Sequence, residues 1–308
     1  MKRVLVTGAS GCIGQQAVPR LLRDGWEVHS ASRGSAAVAT PAVVAHAVDL
    51  LDPAAARALV DDVRPDALLH LAWYVAPGRW ATHPSNLDWV SASLDLVRRV
   101  HEAGATRVVV SGSGLEYDWQ YGYCVEDQTP CRPHTLYGVA KNALHLLLEG
   151  YATQAGLSLA WARVFFLFGP HEHPDRLIAS VIRALLRGER AKTSHGRQIR
   201  DYLYAGDVAE ALVRLIGRTD VQGTFNVASG RAITLRDLAG RAGDLIGRRE
   251  LIDVGAIPAA ATDTPLVVGS PARLAAALDW TAPDDLDAGL LETIEWWKQA
   301  LDAERARA

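Results

Sequence analysis

Short apolar runs alternate with longer amphipathic stretches through the first half of the chain. Residues 4–7, 27–31, 43–48, 67–72, 107–111 and 159–168 are aliphatic or β-branched, bounded by Gly, Asp or Pro, and read as strands. Residues 14–24, 88–103 and 135–155 between them carry helical spacing. That alternation predicts an α/β fold, a doubly wound parallel sheet with helices on both faces. Ligands of such sheets bind beyond the C-terminal strand ends, where the strand order reverses. The second half is less regular. It predicts helices near 176–188, at 206–218, after Thr234 and at 288–303, a strand at 224–228 and an Ala/Thr-rich loop at 255–264. The expected division is a nucleotide-binding unit over 1–168 and a smaller lobe made mostly from 169–308. Residues of about 200–230 return to the first unit. No repeat or flexible linker separates the two.

Composition narrows the class. The chain has 308 residues, 49% of them hydrophobic, which is ample for a large core. A net charge of -3 points to no nucleic-acid or anionic-membrane partner. No run approaches the roughly 20 apolar residues of a membrane span, and the N-terminal residues lead straight into a strand rather than a signal-peptide core. Cys12, Cys124 and Cys131 are odd in number and lack metal-ligand spacing, so no metal is expected and a reduced, cytoplasmic setting is. The 32 basic side chains include four lysines, so each Lys is more informative than any Arg.

The first strand runs into VLVTGASGCIGQ, which spaces Gly8, Gly11 and Gly14 as G-x-x-G-x-x-G before a helix. Gly8 permits the tight turn, Gly11 lets the backbone approach a pyrophosphate, and Gly14 lets helix and strand pack closely. Ser10, Cys12 and Ile13 share that turn, and the helix start offers N–H groups and positive dipole to phosphates. This is the Rossmann arrangement, and it predicts a dinucleotide. At the end of the second strand an NAD-binding chain carries an acid for the ribose 2′-hydroxyl. Here Ser32 and Arg33 stand instead. A hydroxyl and a guanidinium suit a 2′-phosphate, which points to NADP(H). Asp49 and Leu50 are candidates to cover the adenine, with helix capping an equal alternative for Asp49. Leu71, Ala72 and Trp73 line the end of the fourth strand, and Trp73 and Tyr74 lie where a substrate would meet the nicotinamide.

Tyr137 and Lys141 form Y-x-x-x-K at a predicted helix start, a spacing that puts both on one face. Reducing a ketone needs hydride at carbon and a proton at oxygen. A free Tyr has a pKa near 10. A neighbouring ammonium and a positive nicotinamide ring both favour phenolate, so Lys141 is expected to make Tyr137 more acidic while bonding the nicotinamide ribose. A serine hydroxyl at the end of the 107–111 strand would hold the substrate oxygen.

In order, TGASGCIG, SGSGLEY, YGVAK, GRQIRDYLYAGDVAEAL and FNVASG resemble the motifs of the extended short-chain dehydrogenases/reductases, the NAD-dependent epimerase/dehydratase family that acts on nucleotide sugars. The resemblance covers nearly the whole chain. It implies a Rossmann domain with a smaller C-terminal substrate lobe, and a homodimer through a four-helix bundle that includes the Tyr137 helix. It gives Ser113, rather than Ser111, the role of catalytic serine, Tyr137 that of acid/base and Lys141 that of its activator. Arg200 matches an arginine that binds the diphosphate of a sugar nucleotide.

The departures from that pattern are informative. Where sugar-nucleotide dehydratases carry an acidic pair after the catalytic residue, Gly114 and Leu115 stand, so dehydration is disfavoured. Leu115 also replaces the cysteine of the fucose-forming epimerase-reductases. Phe166 stands where relatives have a substrate-binding Asn, and Leu266 where a second diphosphate Arg is expected. The expected activity is that of an NADPH-dependent ketoreductase acting on a nucleotide-linked 4-keto-6-deoxy sugar. A nucleotide-sugar epimerase is the alternative. A non-catalytic NADP sensor and a reductase of other small carbonyl compounds are lesser ones. Trp119, Tyr121 and Tyr123 are candidates to stack on a sugar or base. His171, Glu172, His173 and Asp175 read as a solvated loop of the substrate lobe rather than a metal site.

Overall fold

The computed structural model describes residues 2–34, 41–259 and 264–307. The strands in chain order are β1 (Arg3–Thr7), β2 (Glu27–Ser32), β3 (Val43–Ala47), β4 (Ala67–His70), β5 (Arg107–Ser113), β6 (Tyr123–Cys124), β7 (Ser158–Val164) and β8 (Phe166–Phe168). They continue as β9 (Ala191–Thr193), β10 (Ile199–Arg200), β11 (Tyr202–Tyr204), β12 (Gly223–Val227), β13 (Ile233–Thr234), β14 (Ile252–Val254) and β15 (Leu266–Gly269). The helices are α1 (Cys12–Arg23), α2 (Pro53–Val63), α3 (Ser85–Glu102), α4 (Leu136–Ala155), α5 (Leu177–Arg187), α6 (Ala205–Gly217), α7 (Leu235–Ile246), α8 (Ala272–Leu278) and α9 (Leu286–Arg307).

Seven strands form one all-parallel sheet in the order β12-β7-β5-β4-β1-β2-β3. Side chains of a strand alternate between faces. Val4 and Val6 of β1 therefore join Val18, Leu21, Val208 and Leu212 in a core under α1 and α6. Leu5, between them, joins Val97, Leu144 and Leu148 under α3 and α4. Both faces are covered, as a parallel sheet requires. The strand order reverses between β1 and β4, and the functional cleft opens there.

The second half divides. α6 packs on α1, and β12 pairs with β7 at the sheet edge, so these elements belong with the first core. Leu274 and Leu278 of α8 also join it. The smaller lobe closes around Phe168, Ile178, Ile182, Leu238, Leu290, Ile294 and Trp297, from β8, α5, α7 and α9.

Two expected strands differ from the sequence reading. The 159–168 run breaks after Val164, where the Phe165 N–H turns to Val227 O, and β8 then pairs with β11 in a separate sheet. The 67–72 run stops at His70, because the N–H groups of Leu71 and Ala72 turn onto the Thr7 hydroxyl, each at 3.2 Å. Of the expected loop at 255–264, residues 260–263 lie outside the described residues.

Candidate active site

The glycine turn sits at the switch between β1 and β4. Gly8 has φ of +71°, and a Cβ there would lie 2.8 Å from Ala72 N. A Cβ on Gly14 would lie 2.4 Å from Gly8 O and 2.5 Å from Ala9 Cα, so α1 rests directly on the turn. Gly11 differs. Its nearest neighbour to a Cβ is Gly8 O at 3.4 Å, an ordinary contact, so the chain itself makes little demand for glycine there. Ser10 and Gly11 are exposed on the lip, while Cys12 and Ile13 are half-buried. Gly11 caps α1 without a side-chain hydrogen bond, which leaves the first-turn N–H groups to a ligand. This cradle fits the pyrophosphate of a dinucleotide.

At the end of β2 the Ser32 hydroxyl donates to Gly34 O at 2.8 Å, and Arg33 is exposed. Asp49 is not a helix cap. It accepts from Leu51 N at 3.0 Å, and Asp52 caps α2 through Ala54 N and Ala55 N. Leu50 is buried beside it.

The catalytic candidates come from two elements. β5 ends at Ser113, which opens a 3-10 turn, Gly114–Glu116. The Ser113 hydroxyl accepts from Leu115 N at 3.2 Å, and Glu116 Oε1 accepts from Ser113 N at 2.7 Å. α4 starts at Leu136 because Thr135 caps it, accepting from Gly138 N at 3.1 Å. Gly138 lets α4 approach that turn, since a Cβ there would lie 2.5 Å from Leu115 O. The approach sets the Tyr137 phenol close enough to the Ser113 side chain for Ser113 to favour its ionised form. Trp80 meets the Tyr137 ring edge-on at 5.0 Å and Trp73 at 6.2 Å. Lys141, one turn along, is buried; it donates to Ser111 O at 2.8 Å and lies 3.8 Å above the Trp73 ring. Trp73 is held in turn by Asn86 Oδ1 at 2.8 Å.

Burial pushes the Tyr137 phenol up to about 12; the Ser113 hydrogen bond and the Arg176 charge pull it down, and Glu116 pushes it up. The Lys141 amine donates to Ser111 O and lies over the Trp73 face, 6.0 Å from the Tyr137 ring centre. Burial pulls Lys141 itself down to about 7, against the attraction of Glu116. At neutral pH the protein alone thus holds Tyr137 as a neutral phenol.

On the substrate side, Gly114 O accepts from Trp119 Nε1 at 2.8 Å. The Arg200 guanidinium lies 5.7 Å from the Trp119 ring and 5.5 Å from that of Phe166, so Gly114, Trp119, Phe166 and Arg200 form one wall beside Ser113. Arg200 is 3% exposed and donates to Ile199 O at 2.8 Å, with the two rings flanking its guanidinium. Leu266 lies on β15 beside Ile199 and packs on Gly122. Tyr74 packs on His83 at 4.4 Å instead of on Tyr137, and Tyr121 and Tyr123 are exposed.

The 171–175 segment is only partly a solvated loop. His171 packs on Trp296 at 4.6 Å and His173 turns to Asp175, but Glu172 Oε2 is buried without a hydrogen-bond partner. Sequence reading missed the places of Glu116, Trp80 and Arg176 at the site. Glu116 had a signal, as the one acid between Arg107 and Asp118 in a run destined for the core. Trp80 and Arg176 lie on connections whose placement is set by distant contacts.

The chain is 28% identical to a UDP-glucose 4-epimerase of Mycolicibacterium smegmatis over 77% of its own length and 80% of that protein's. It is 27% identical to a dTDP-6-deoxy-L-talose 4-dehydrogenase (NAD(+)) of Aggregatibacter actinomycetemcomitans, over 76% of its length and 86% of the relative's. Among solved structures, MoeE5 in complex with UDP-glucose and NAD is 30% identical and superposes with a TM-score of 0.83, covering 97% of this chain and 99% of that one. The NAD dependent epimerase/dehydratase family pattern matches residues 4–228 and takes in the glycine turn, Ser113, Tyr137 and Lys141. With that match added to the seven-stranded sheet and its switch-point cleft, the chain belongs to the NAD dependent epimerase/dehydratase family.

Proposed function

We propose that this protein is a cytoplasmic, homodimeric reductase of nucleotide-linked keto sugars, a 4-keto-6-deoxy sugar 4-reductase using NADPH. The observation that carries the reading is that Gly138 lets α4 close onto the Ser113 turn, which sets Tyr137 beside Ser113 at the end of β5, with Lys141 one turn along the same helix. When bound, the reduced nicotinamide supplies the hydride. The turn of Gly8, Gly11 and Gly14 and the first N–H groups of α1 take the pyrophosphate. Ser32 and Arg33 take the 2′-phosphate, Asp49 and Leu50 flank the adenine, and Leu71, Ala72 and Trp73 line the nicotinamide end. Lys141 bonds the ribose. Ser113 holds the carbonyl oxygen, and Tyr137 gives it a proton. The Aggregatibacter relative supports this reading, since a 4-dehydrogenation run backwards is a 4-keto reduction. Gly114, Phe166 and the Arg200–Trp119 wall border the sugar.

A second reading, a 4-epimerase that keeps its dinucleotide and returns the hydride to the other face, is favoured by the Mycolicibacterium relative and by the UDP-glucose complex of MoeE5. Incubation with NADPH and dTDP-, GDP- and CDP-linked 4-keto sugars separates the two. The expected outcome is stoichiometric loss of reduced-nicotinamide absorbance. In Tyr137→Phe the rate should fall by about 10²–10⁴ while NADPH binding stays nearly intact. Interconversion of UDP-sugars without net change in NADPH would establish the epimerase instead. An undiminished rate in Tyr137→Phe would reject the catalytic assignment.

A further inference from the structure

Lys141 is 3% exposed, and a buried ammonium is costly unless something offsets its charge. Glu116, the acid that acts on it, is already bound to Arg163 at 2.7 Å. What the Lys141 amine touches instead is Ser111 O, at 2.8 Å, and the face of Trp73, whose ring centre lies 3.8 Å from Nζ. That is well inside the roughly 6 Å over which an aromatic face attracts a cation, and Trp offers the strongest such face. The ring is not free to turn away. Trp73 Nε1 donates to Asn86 Oδ1 at 2.8 Å, and Trp89 stacks on the ring at 6.0 Å with 29° between the planes. Asn86 has no exposed surface, and its Nδ2 donates to Trp80 O at 2.9 Å and to His83 O at 2.8 Å. With two carbonyls on its nitrogen, the Asn86 amide has one orientation, and its oxygen faces the indole N–H. α3 thus fixes the indole through Asn86 and Trp89, and the indole meets the Lys141 amine of α4.

We propose that Trp73 is a positioning residue for Lys141: its indole face holds the buried amine as an ammonium at the end of β5, and Asn86 holds the indole. The inference rests on the reading above in which Lys141 bonds the nicotinamide ribose. An ammonium has three N–H donors. Ser111 O takes one, the indole face meets another, and one remains for a ribose hydroxyl. Burial pulls Lys141 down to about 7, so near neutrality a modest stabilisation of the charge decides its state. Removing the indole removes that stabilisation and lowers the pH at which the amine loses its proton. The other groups around Nζ do not titrate in its place. His70, on β4, is held between the Thr7 hydroxyl at 2.7 Å and the Ser93 hydroxyl at 2.9 Å, and burial pulls it down to about 3. Tyr137, on α4 itself, is pushed up to about 12, and Glu116, after β5, is paired with Arg163. α3 presents Asn86 and Trp89, which carry no charge.

The test is nuclear magnetic resonance of protein labelled with carbon-13 at the lysine Cε. The chain has four lysines, Lys2, Lys141, Lys192 and Lys298, so the Lys141 signal is the one lost in Lys141→Met. In wild type its methylene protons should be shifted upfield by the indole ring. Its titration midpoint should fall by about one pH unit in Trp73→Leu, and by less in Trp73→Phe, which keeps a weaker aromatic face. Nucleotide titration reads the same effect on binding. Trp73→Leu should bind NADPH about tenfold more weakly than wild type at pH 8, and the gap should shrink to about twofold at pH 6, where most of the amine is charged in both proteins. An unshifted Lys141 signal in wild type, or equal midpoints in wild type and Trp73→Leu, overturns the inference. So does a binding loss of the same size at both pH values, which would mean that Trp73 meets the nucleotide directly rather than acting through Lys141. Should Trp73→Leu fail to fold, the wild-type shift and the Trp73→Phe midpoint decide. If wild type binds neither NADPH nor NADH at any pH, the cofactor reading fails, while the lysine midpoints still decide whether the indole holds the charge.

Discussion

Glu116 is a carboxylate with no exposed surface, directly beneath the residue proposed to hold the substrate oxygen. Its charge is met by Arg163 Nε at 2.7 Å, by Trp161 Nε1 at 3.0 Å and by the Ser113 backbone N–H. Arg163 also reaches His145 Nδ1 at 3.3 Å, and His145 Nε2 reaches the Thr224 hydroxyl at 2.9 Å. The network ties β5 to β7 and β12, so the position of Ser113 depends on a chain of buried polar contacts. Breaking one side of such a pair is expensive because the other charge is stranded; replacing both is often nearly neutral. Glu116→Ala is expected to cost about 3–5 kcal/mol in urea unfolding, and the double variant Glu116→Leu/Arg163→Met far less. Equal losses would mean that the pair is not an energetic unit. At this scale the sequence is legible where the chemistry is local. Tyr137 and Lys141 share a helix face, and Ser113 ends a strand. Glu116 needed knowledge of which strands lie beside β5, Trp80 and Arg176 sit on connections placed by tertiary contacts, and the contacts of Lys141 with Ser111 O and the Trp73 ring needed the fold.

At the scale of elements, the glycine turn separates demands of the fold from demands of a ligand. Gly14 is a fold requirement, since its Cβ would overlap backbone atoms of Gly8 and Ala9. Gly14→Ala should destabilise the protein by about 1–3 kcal/mol through overpacking between α1 and β1. Gly11 has φ of -80° and ψ of 171°, an extended backbone open to any residue, and its Cβ would meet only an ordinary contact. Gly11→Ala should therefore keep the melting temperature close to wild type while weakening NADPH binding, because the methyl occupies the space a phosphate needs. Thermal unfolding beside a nucleotide titration reads both effects. A Gly11→Ala variant that unfolds early, or that binds NADPH as wild type does, would contradict this division. Most elements were readable from periodicity because each buries one face on one core. The 159–168 run was not: its hydrophobicity continues while its pairing partner changes from β12 to β11, and local pattern carries no record of a partner.

At the scale of the molecule, the run at 224–228 was legible as a strand, but its place beside β7 and the surfaces left uncovered needed the structure. α3 and α4 pack side by side, and α4 carries an exposed apolar stripe. On α4, Val139, Ala143, Leu146, Leu147 and Gly150 follow the spacing i, i+4, i+7, i+8, i+11, which is one helical stripe. Leu146 is 58% exposed and Leu147 55%, and Leu87 of α3 is exposed on the neighbouring helix. A contiguous apolar patch of this kind is uncommon on a monomer. A two-fold axis through it would set the two helices of one protomer against the same two of another, burying the stripe against its own copy. α4 also carries Tyr137 and Lys141, so the contact would brace the helix that positions them. Sedimentation equilibrium should therefore return twice the 33.2 kDa chain mass. Leu146→Glu/Leu147→Glu should return one chain mass with an unchanged circular dichroism spectrum, because a buried pair of like charges facing its symmetry copy opposes association without touching the core. A monomeric wild-type protein at micromolar concentration would show that this face serves something other than self-association.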